Sequence, residues 1–193
     1  MRLDPLLLVL VIVVCAGCAE DIRPIPELDG PMAPTGPVAT IDNGDGTYTT
    51  RIDATAAEGW RHVDLETGGE AEATGGWDLA AQRFHIKLNG GISGDAGVEV
   101  AVVPGALAGV TAPPAAGWIT DQPDGDDENP EPDYAFEQGD GWYAYDPQTH
   151  VLTPRAVVWV VRTGDGRHVK LAIEDYYDDL GTSGVFTVRW GRL

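Results

Sequence analysis

The groups with which this chain can do chemistry are few: two cysteines, four histidines, two serines and a large excess of carboxylates. Thiolate is the nucleophilic and metal-binding form of cysteine, and both cysteines, Cys15 and Cys18, fall in the first eighteen residues. Everything after Cys18 therefore lacks a disulfide, a thiolate metal site and a cysteine nucleophile. Ser93 and Ser183 each stand beside glycine, and neither lies in a Gly-x-Ser-x-Gly nucleophile elbow. The sequence holds no His-Glu-x-x-His and no phosphate loop. Glu174, Asp175, Asp178 and Asp179 surround Tyr176-Tyr177, and a carboxylate pair is the machinery of glycoside hydrolysis. Acids are so frequent here that such crowding arises by coincidence, and the inventory argues against an enzyme. His62, His85 and His168 sit in strand-like surroundings and read as scaffold. His150 alone lies in a loop-like context, between Tyr143-Ala144-Tyr145-Asp146-Pro147 and Val151-Leu152-Thr153-Pro154.

The first element to consider is the N-terminus. Arg2 opens it, an uninterrupted apolar run covers Leu6 to Val14, and small residues lead to Cys18. That is the layout of a secretory signal with its cleavage site. Its apolar run is far shorter than the roughly 20 residues that span a bilayer as a helix. The Ala16-Gly17-Cys18 end resembles the lipobox of bacterial lipoproteins, with Cys15 where that family usually has Leu and Asp4 diluting the basic start. The resemblance implies a signal peptide over residues 1–17, diacylglycerol on the Cys18 thiol and an acylated amine. Multiple acyl chains, at about 0.8 kcal/mol per buried methylene, make a durable membrane anchor. Ala19 rather than Asp after the cysteine leaves export to the bacterial outer membrane or cell surface open. The alternative is an ordinary secretory signal cut nearby. Residues 18–40 hold the lipidated cysteine and a tether rich in proline, with Pro24, Pro26, Pro31, Pro34 and Pro37 among Gly and acids.

Arg2 and Asp4 cancel, so the net charge of −19 belongs to the chain beyond the signal. It argues against nucleic acid, whose phosphates are bound by Lys and Arg, and against lying flat on anionic lipid. Six Trp and six Tyr are enough large side chains for one core.

From Ile41 the texture is of short alternating runs broken by Gly and Asp. Asp42 to Gly46 reads as a turn feeding a strand over Thr47 to Ile52; its Asp spacing lacks the downstream Glu of an EF-hand. Further strands are expected over Trp60 to Glu66, over Trp77 to Asn89 as one long strand, and over Val98 to Val103. In the long one, Phe84, Ile86 and Leu88 share a face opposite Arg83, His85 and Lys87. Pro104 to Asp133 is irregular and carries Asp121, Asp124, Asp126, Asp127, Glu128, Glu131 and Asp133. Such a run is either a solvated, self-repelling loop or a holder of a divalent cation. Ala156 to Arg162 and His168 to Ile173 form a hairpin through Asp165-Gly166, and Val185 to Trp190 closes the chain. About eight strands and few helix signals make the class all-β, an antiparallel sandwich or incomplete barrel.

Several of these segments together resemble the HmuY family of bacterial surface lipoproteins. They are Asp53-Ala54-Thr55-Ala56 with Trp60, Trp77-Asp78-Leu79-Ala80, Arg83-Phe84-His85-Ile86 and Asn89-Gly90-Gly91-Ile92-Ser93-Gly94. Downstream follow Trp142, Thr153-Pro154, Val160-Val161-Arg162-Thr163, Asp165-Gly166, Val169-Lys170-Leu171, Tyr176-Tyr177 and Phe186 to Trp190. The resemblance covers residues 41–193, which it implies are one HmuY-like β domain with finger-like loops. It further implies heme capture, without catalysis, for a receptor in the outer membrane. In well-known members two side chains, His–His or involving Met, ligate the iron. Here Met32 lies in the tether, and no histidine occurs between Lys87 and Thr149. A bis-histidine site is therefore not supported. His150 is the candidate ligand, with Tyr143 or Tyr145 supplying a phenolate or a stacking face; a solvated turn histidine is the plainer reading. The competing function is a scaffold that has lost heme ligation and binds a protein partner or calcium.

Overall fold

Strand-forming residues and glycine turns alternate along most of the chain, and the structure, a computed structural model, follows them. It describes residues 36–125 and 130–193. The signal segment, Cys18, Met32, the first part of the tether, and Asp126, Asp127 and Glu128 of the acid run lie outside the described residues.

Two antiparallel sheets face each other. The larger holds β1 (Val38–Asp42), β2 (Tyr48–Asp53), β12 (Ser183–Arg192), β11 (His168–Tyr177), β10 (Val157–Arg162) and β7 (Glu99–Pro104), in the spatial order β1-β2-β12-β11-β10-β7. The smaller has the order β4-β3-β5-β6, with β3 Arg61–Asp64, β4 Gly69–Ala71, β5 Leu79–Gln82 and β6 His85–Leu88. A separate two-stranded hairpin, β8 (Tyr143–Asp146) and β9 (Val151–Pro154), completes the set. The expected all-β class and antiparallel pairing hold, as an open sandwich with no closed barrel.

Alternation explains the core. Ile52, Leu171, Ile173, Phe186, Val188 and Trp190 of the large sheet meet Val63, Leu79, Ala81, Ile86 and Leu88 of the small one, and all are buried. Strand β10 reads as a continuous apolar run because it is covered on both sides. Trp159 and Val161 point into the core, while Val158 and Val160 form a second cluster with Val110, flanked by Val103, Leu107 and Trp118. The irregular segment after Pro104 thus has a packing role: it roofs the outer face of the large sheet. The described residues form one compact unit.

Four expectations need correction. Trp77 to Asn89 is not one strand but a hairpin, because Arg83 takes a left-handed backbone (φ 52) and turns the chain between β5 and β6. Its apolar face is as expected, since Ile86 and Leu88 are buried. Twelve strands, not about eight, are present among the described residues. Strand β1 begins at Val38, inside the segment read as tether, since Ala39 is buried and Val38 pairs with Ile52. Finally, Asp121 is no solvated acid: it is 1% exposed and accepts the backbone N–H groups of Leu88 (2.9 Å) and Ala135 (2.8 Å).

The Asn89–Gly94 motif packs against the Asp121 backbone, whose carbonyl accepts the Ile92 amide at 3.1 Å. Gly91 has φ 62, and a β-carbon there would lie 1.9 Å from the Asp121 carbonyl oxygen. At Gly90 a β-carbon would lie 2.0 Å from the Val98 carbonyl. Asn89 donates its amide to the Trp77 carbonyl at 2.9 Å. Similarly, Arg83 donates to the Thr55 carbonyl at 2.9 Å, and the Arg83 amide to the Ala54 carbonyl at 2.8 Å. These motif residues fasten the sheets at their corners.

Candidate functional site

The β8–β9 hairpin carries the three candidate residues and is held at its base and again at Leu152, opposite Tyr145. Trp142, fully buried, donates its indole N–H to the Phe84 carbonyl at 3.0 Å and packs on Tyr176 and Phe186. Arg155 donates its side chain to the carbonyls of Asp140 (2.7 Å) and Tyr143 (3.0 Å). Further along, Leu152 donates its amide to the Tyr177 hydroxyl at 3.0 Å, tying β9 to the end of β11. Beyond that point the hairpin projects.

Its tip is a turn shaped by Asp146. The Asp146 carboxylate accepts the Gln148 amide at 2.8 Å, and its carbonyl accepts the His150 amide at 2.8 Å. The Gln148 bond, then contacts from Thr149, hold the Asp146 carboxyl below its ordinary range. His150 closes the turn in the left-handed region, φ 58. Glycine or asparagine is the usual occupant, and a histidine there costs roughly 1 kcal/mol.

Register sets who faces whom. Tyr143 opposes Pro154 and Tyr145 opposes Leu152, so both tyrosines share one face. The Tyr145 hydroxyl and His150 Nδ1 are hydrogen-bonded, with ring centroids 6.0 Å apart. Tyr143 stays half-buried against Phe84 (6.1 Å) and Trp142 (4.8 Å); burial, then Glu137, raises its phenol above the usual value. The structure therefore brings Tyr145 and His150 together and sets Tyr143 nearer the core.

The other imidazoles are engaged. His62 meets the Trp77 ring at 4.8 Å, and burial, then Lys87, lowers its pKa. His168 lies beside Trp118 at 5.5 Å. Both nitrogens of His85 meet carboxylates, Nδ1 with Glu137 at 3.0 Å and Nε2 with Glu131 at 3.1 Å. Among the described residues no group of three or more His, Cys, Asp or Glu is arranged to hold a metal ion. Two of the four acids around Tyr176-Tyr177 serve the backbone. Asp175 accepts the amides of Tyr176 and Tyr177, and Asp178 those of Leu180 and Thr182.

Sequence reasoning missed one part of this end of the molecule. Leu180, at the β11–β12 turn, is 92% exposed, and Tyr145 is 52% exposed on the neighbouring hairpin. A leucine inside Asp-Asp-Leu-Gly, a sequence that otherwise spells turn, was the available signal. The core offers no alternative cavity: the void between the sheets, lined by Ile52, Leu79, Ile86, Phe136, Leu171 and Phe186, measures about 10 Å³. Among the described residues that void is too small for a porphyrin; clefts of about 520 Å³ beside Asp45, Lys170 and Arg189 and about 470 Å³ beside Trp77 and Gly164 open elsewhere, and the hairpin end exposes aromatic and apolar surface.

Two facing antiparallel sheets with a projecting, histidine-tipped hairpin define an all-β scaffold that presents side chains on a finger. The chain belongs to the HmuY family: the model for HmuY protein matches residues 56–190. Solved structures share the fold. An apo HmuY analog from Tannerella forsythia superposes with TM-score 0.58 at 20% identity, covering 75% of this chain and 94% of that one. A protein of Bacteroides vulgatus ATCC 8482, provisionally designated HmuY-like and heme-binding, gives 0.60 at 18% identity over 81% and 97%. A protein of Bacteroides fragilis NCTC 9343, provisionally designated a lipoprotein, gives 0.59 at 21% identity over 78% and 91%. No curated protein sequence matches the chain.

Proposed function

We propose that this protein is a lipid-anchored surface lipoprotein that captures heme without catalysis, at the tip of the β8–β9 hairpin. The observation that carries the reading is the exposed Tyr145–His150 pair. When His150 donates Nδ1–H to the tyrosine oxygen, its Nε2 lone pair is left free for iron; such a partner fixes tautomer and ring orientation. Exposed Tyr145 and Leu180 offer apolar surface to a porphyrin. Family membership and the Bacteroides vulgatus neighbour's designation support the same ligand. Of the residues present, His150 would hold the iron through Nε2. Bound heme would supply the iron; the chain's own part is to bind, orient and present it to a receptor in the outer membrane.

Titration of the signal-free chain with hemin, read by Soret absorbance, tests this. Saturable one-to-one binding, weakened about tenfold or more by His150→Ala, is the expected result; no Soret change overturns it. The anchor is tested separately by metabolic labelling with palmitate, which Cys18→Ser abolishes.

The engagement of His62, His85 and His168 elsewhere favours a second reading. In it the scaffold has lost heme ligation and binds a protein partner or calcium through its acidic surface. An unchanged Soret band together with a calcium-dependent rise in thermal midpoint would select it.

A further inference from the structure

His85 is the most tightly held imidazole among the described residues. It opens β6, is 15% exposed on its side chain, and lies between the rings of Phe84 (3.9 Å) and Tyr134 (5.6 Å). Each ring nitrogen meets a carboxylate of the 130–137 segment, at 3.0 and 3.1 Å. Nδ1 is hydrogen-bonded to Glu137 and Nε2 stands in an ion pair with Glu131, and a carboxylate at each nitrogen favours the imidazolium, the form with a proton on both. The segment so held runs on to Trp142 and Tyr143, where β8 begins. There the chain is tied to the same corner again: the Phe84 carbonyl accepts the Trp142 indole, and the Phe84 ring meets Tyr143. One residue pair, Phe84-His85, thus fixes the hairpin base through two independent attachments.

We propose that His85, as an imidazolium bridging Glu131 and Glu137, is a positioning residue that seats the base of the β8–β9 hairpin and makes ligand retention at its tip depend on pH. The proposal rests on the heme reading only for its last clause. The groups facing His85 are Glu131, Tyr134 and Glu137 from the overlying segment. On its own sheet Gln82 lies opposite, and Lys87, two residues on, is held over Trp60 at 4.4 Å and attracted by Asp121. Tyr143 of β8 is the remaining titratable neighbour, through Glu137. Burial disfavours the charged ring, but the Glu137 hydrogen bond and charge, with Glu131, outweigh it and raise the His85 pKa above 6.5. A raised folded-state value means that the bridge's stabilisation is complete below about pH 6.5. It is lost as pH rises through the folded value.

The test uses the signal-free chain from pH 5 to 9, with wild type, His85→Gln and Glu137→Gln. Two readouts are followed: hemin affinity, and amide-exchange protection factors of β8–β9, which correct for the intrinsic pH dependence of exchange. In wild type, hairpin protection and hemin affinity fall together by about fivefold or more above pH 6.5, a shift of a fraction of a pKa unit's worth of coupling or greater. In His85→Gln the protection profile is flat and hemin affinity no longer falls above pH 6.5, and in Glu137→Gln the fall is reduced. A flat wild-type protection profile, or an identical fall in His85→Gln, overturns the proposal. Protection is read without ligand, so a chain that binds no hemin defeats the heme reading while the exchange data still decide the role of His85.

Discussion

The corner where Asn89–Gly94 closes over Asp121 and the hairpin that ends in His150 are built on opposite terms. At the corner a buried carboxylate takes two backbone N–H groups, and the glycines have carbonyl oxygens where a side chain would go. At the hairpin tip the one side-chain pair is exposed, and the backbone strain at His150 is relieved by losing the side chain. The motif residues by which the family is recognised hold the sandwich together. The candidate ligand sits where the sandwich is indifferent to what it carries.

That contrast is open to direct attack. The largest effect belongs to the corner: Asp121→Ala leaves the Leu88 and Ala135 amides buried without an acceptor and should cost about 3 kcal/mol in urea unfolding. A loss below about 1 kcal/mol would show the corner to be as dispensable as the tip. His85→Gln should be intermediate, about 1–2 kcal/mol below pH 6.5. Its thermal midpoint should converge on that of wild type as pH rises, because the lost bridge is one that wild type also gives up on deprotonation. His150→Gly should leave stability within about 0.5 kcal/mol of wild type, or raise it, while weakening hemin binding about tenfold or more. A marked destabilisation would mean that the imidazole is structural after all. Tyr145→Phe should be the mildest, with no change in midpoint and hemin affinity reduced by about threefold to tenfold through loss of the hydrogen bond to His150.

The parts of the fold legible in the sequence are those where chemistry is local. Thr163-Gly164-Asp165-Gly166 announces the β10–β11 turn, and the two-residue period of Ile86 and Leu88 announces their burial. The Arg83 turn was invisible because a residue with no turn preference occupies a left-handed position. It is held there by the Thr55 carbonyl and the Ala54 backbone, far off in sequence. Asp121 looked like its acidic neighbours, since its burial depends on Leu88 and Ala135 rather than on anything adjacent. Strands β8 and β9 gave little signal because most of their residues are exposed, so no apolar alternation marks them. His150 stands out in the sequence by its loop-like surroundings, whereas its hydrogen bond to Tyr145 depends on how the turn folds back on β8.

The left-handed backbone at His150 has a consequence for descent. Asparagine and glycine are at least as comfortable there as histidine, so the imidazole can be gained or lost by substitutions that folding does not penalise. Lineages built on this sandwich are thus free to trade one ligand for another at the fingertip, whereas a change at Gly91 or Asp121 is removed before any new binding property can be tried.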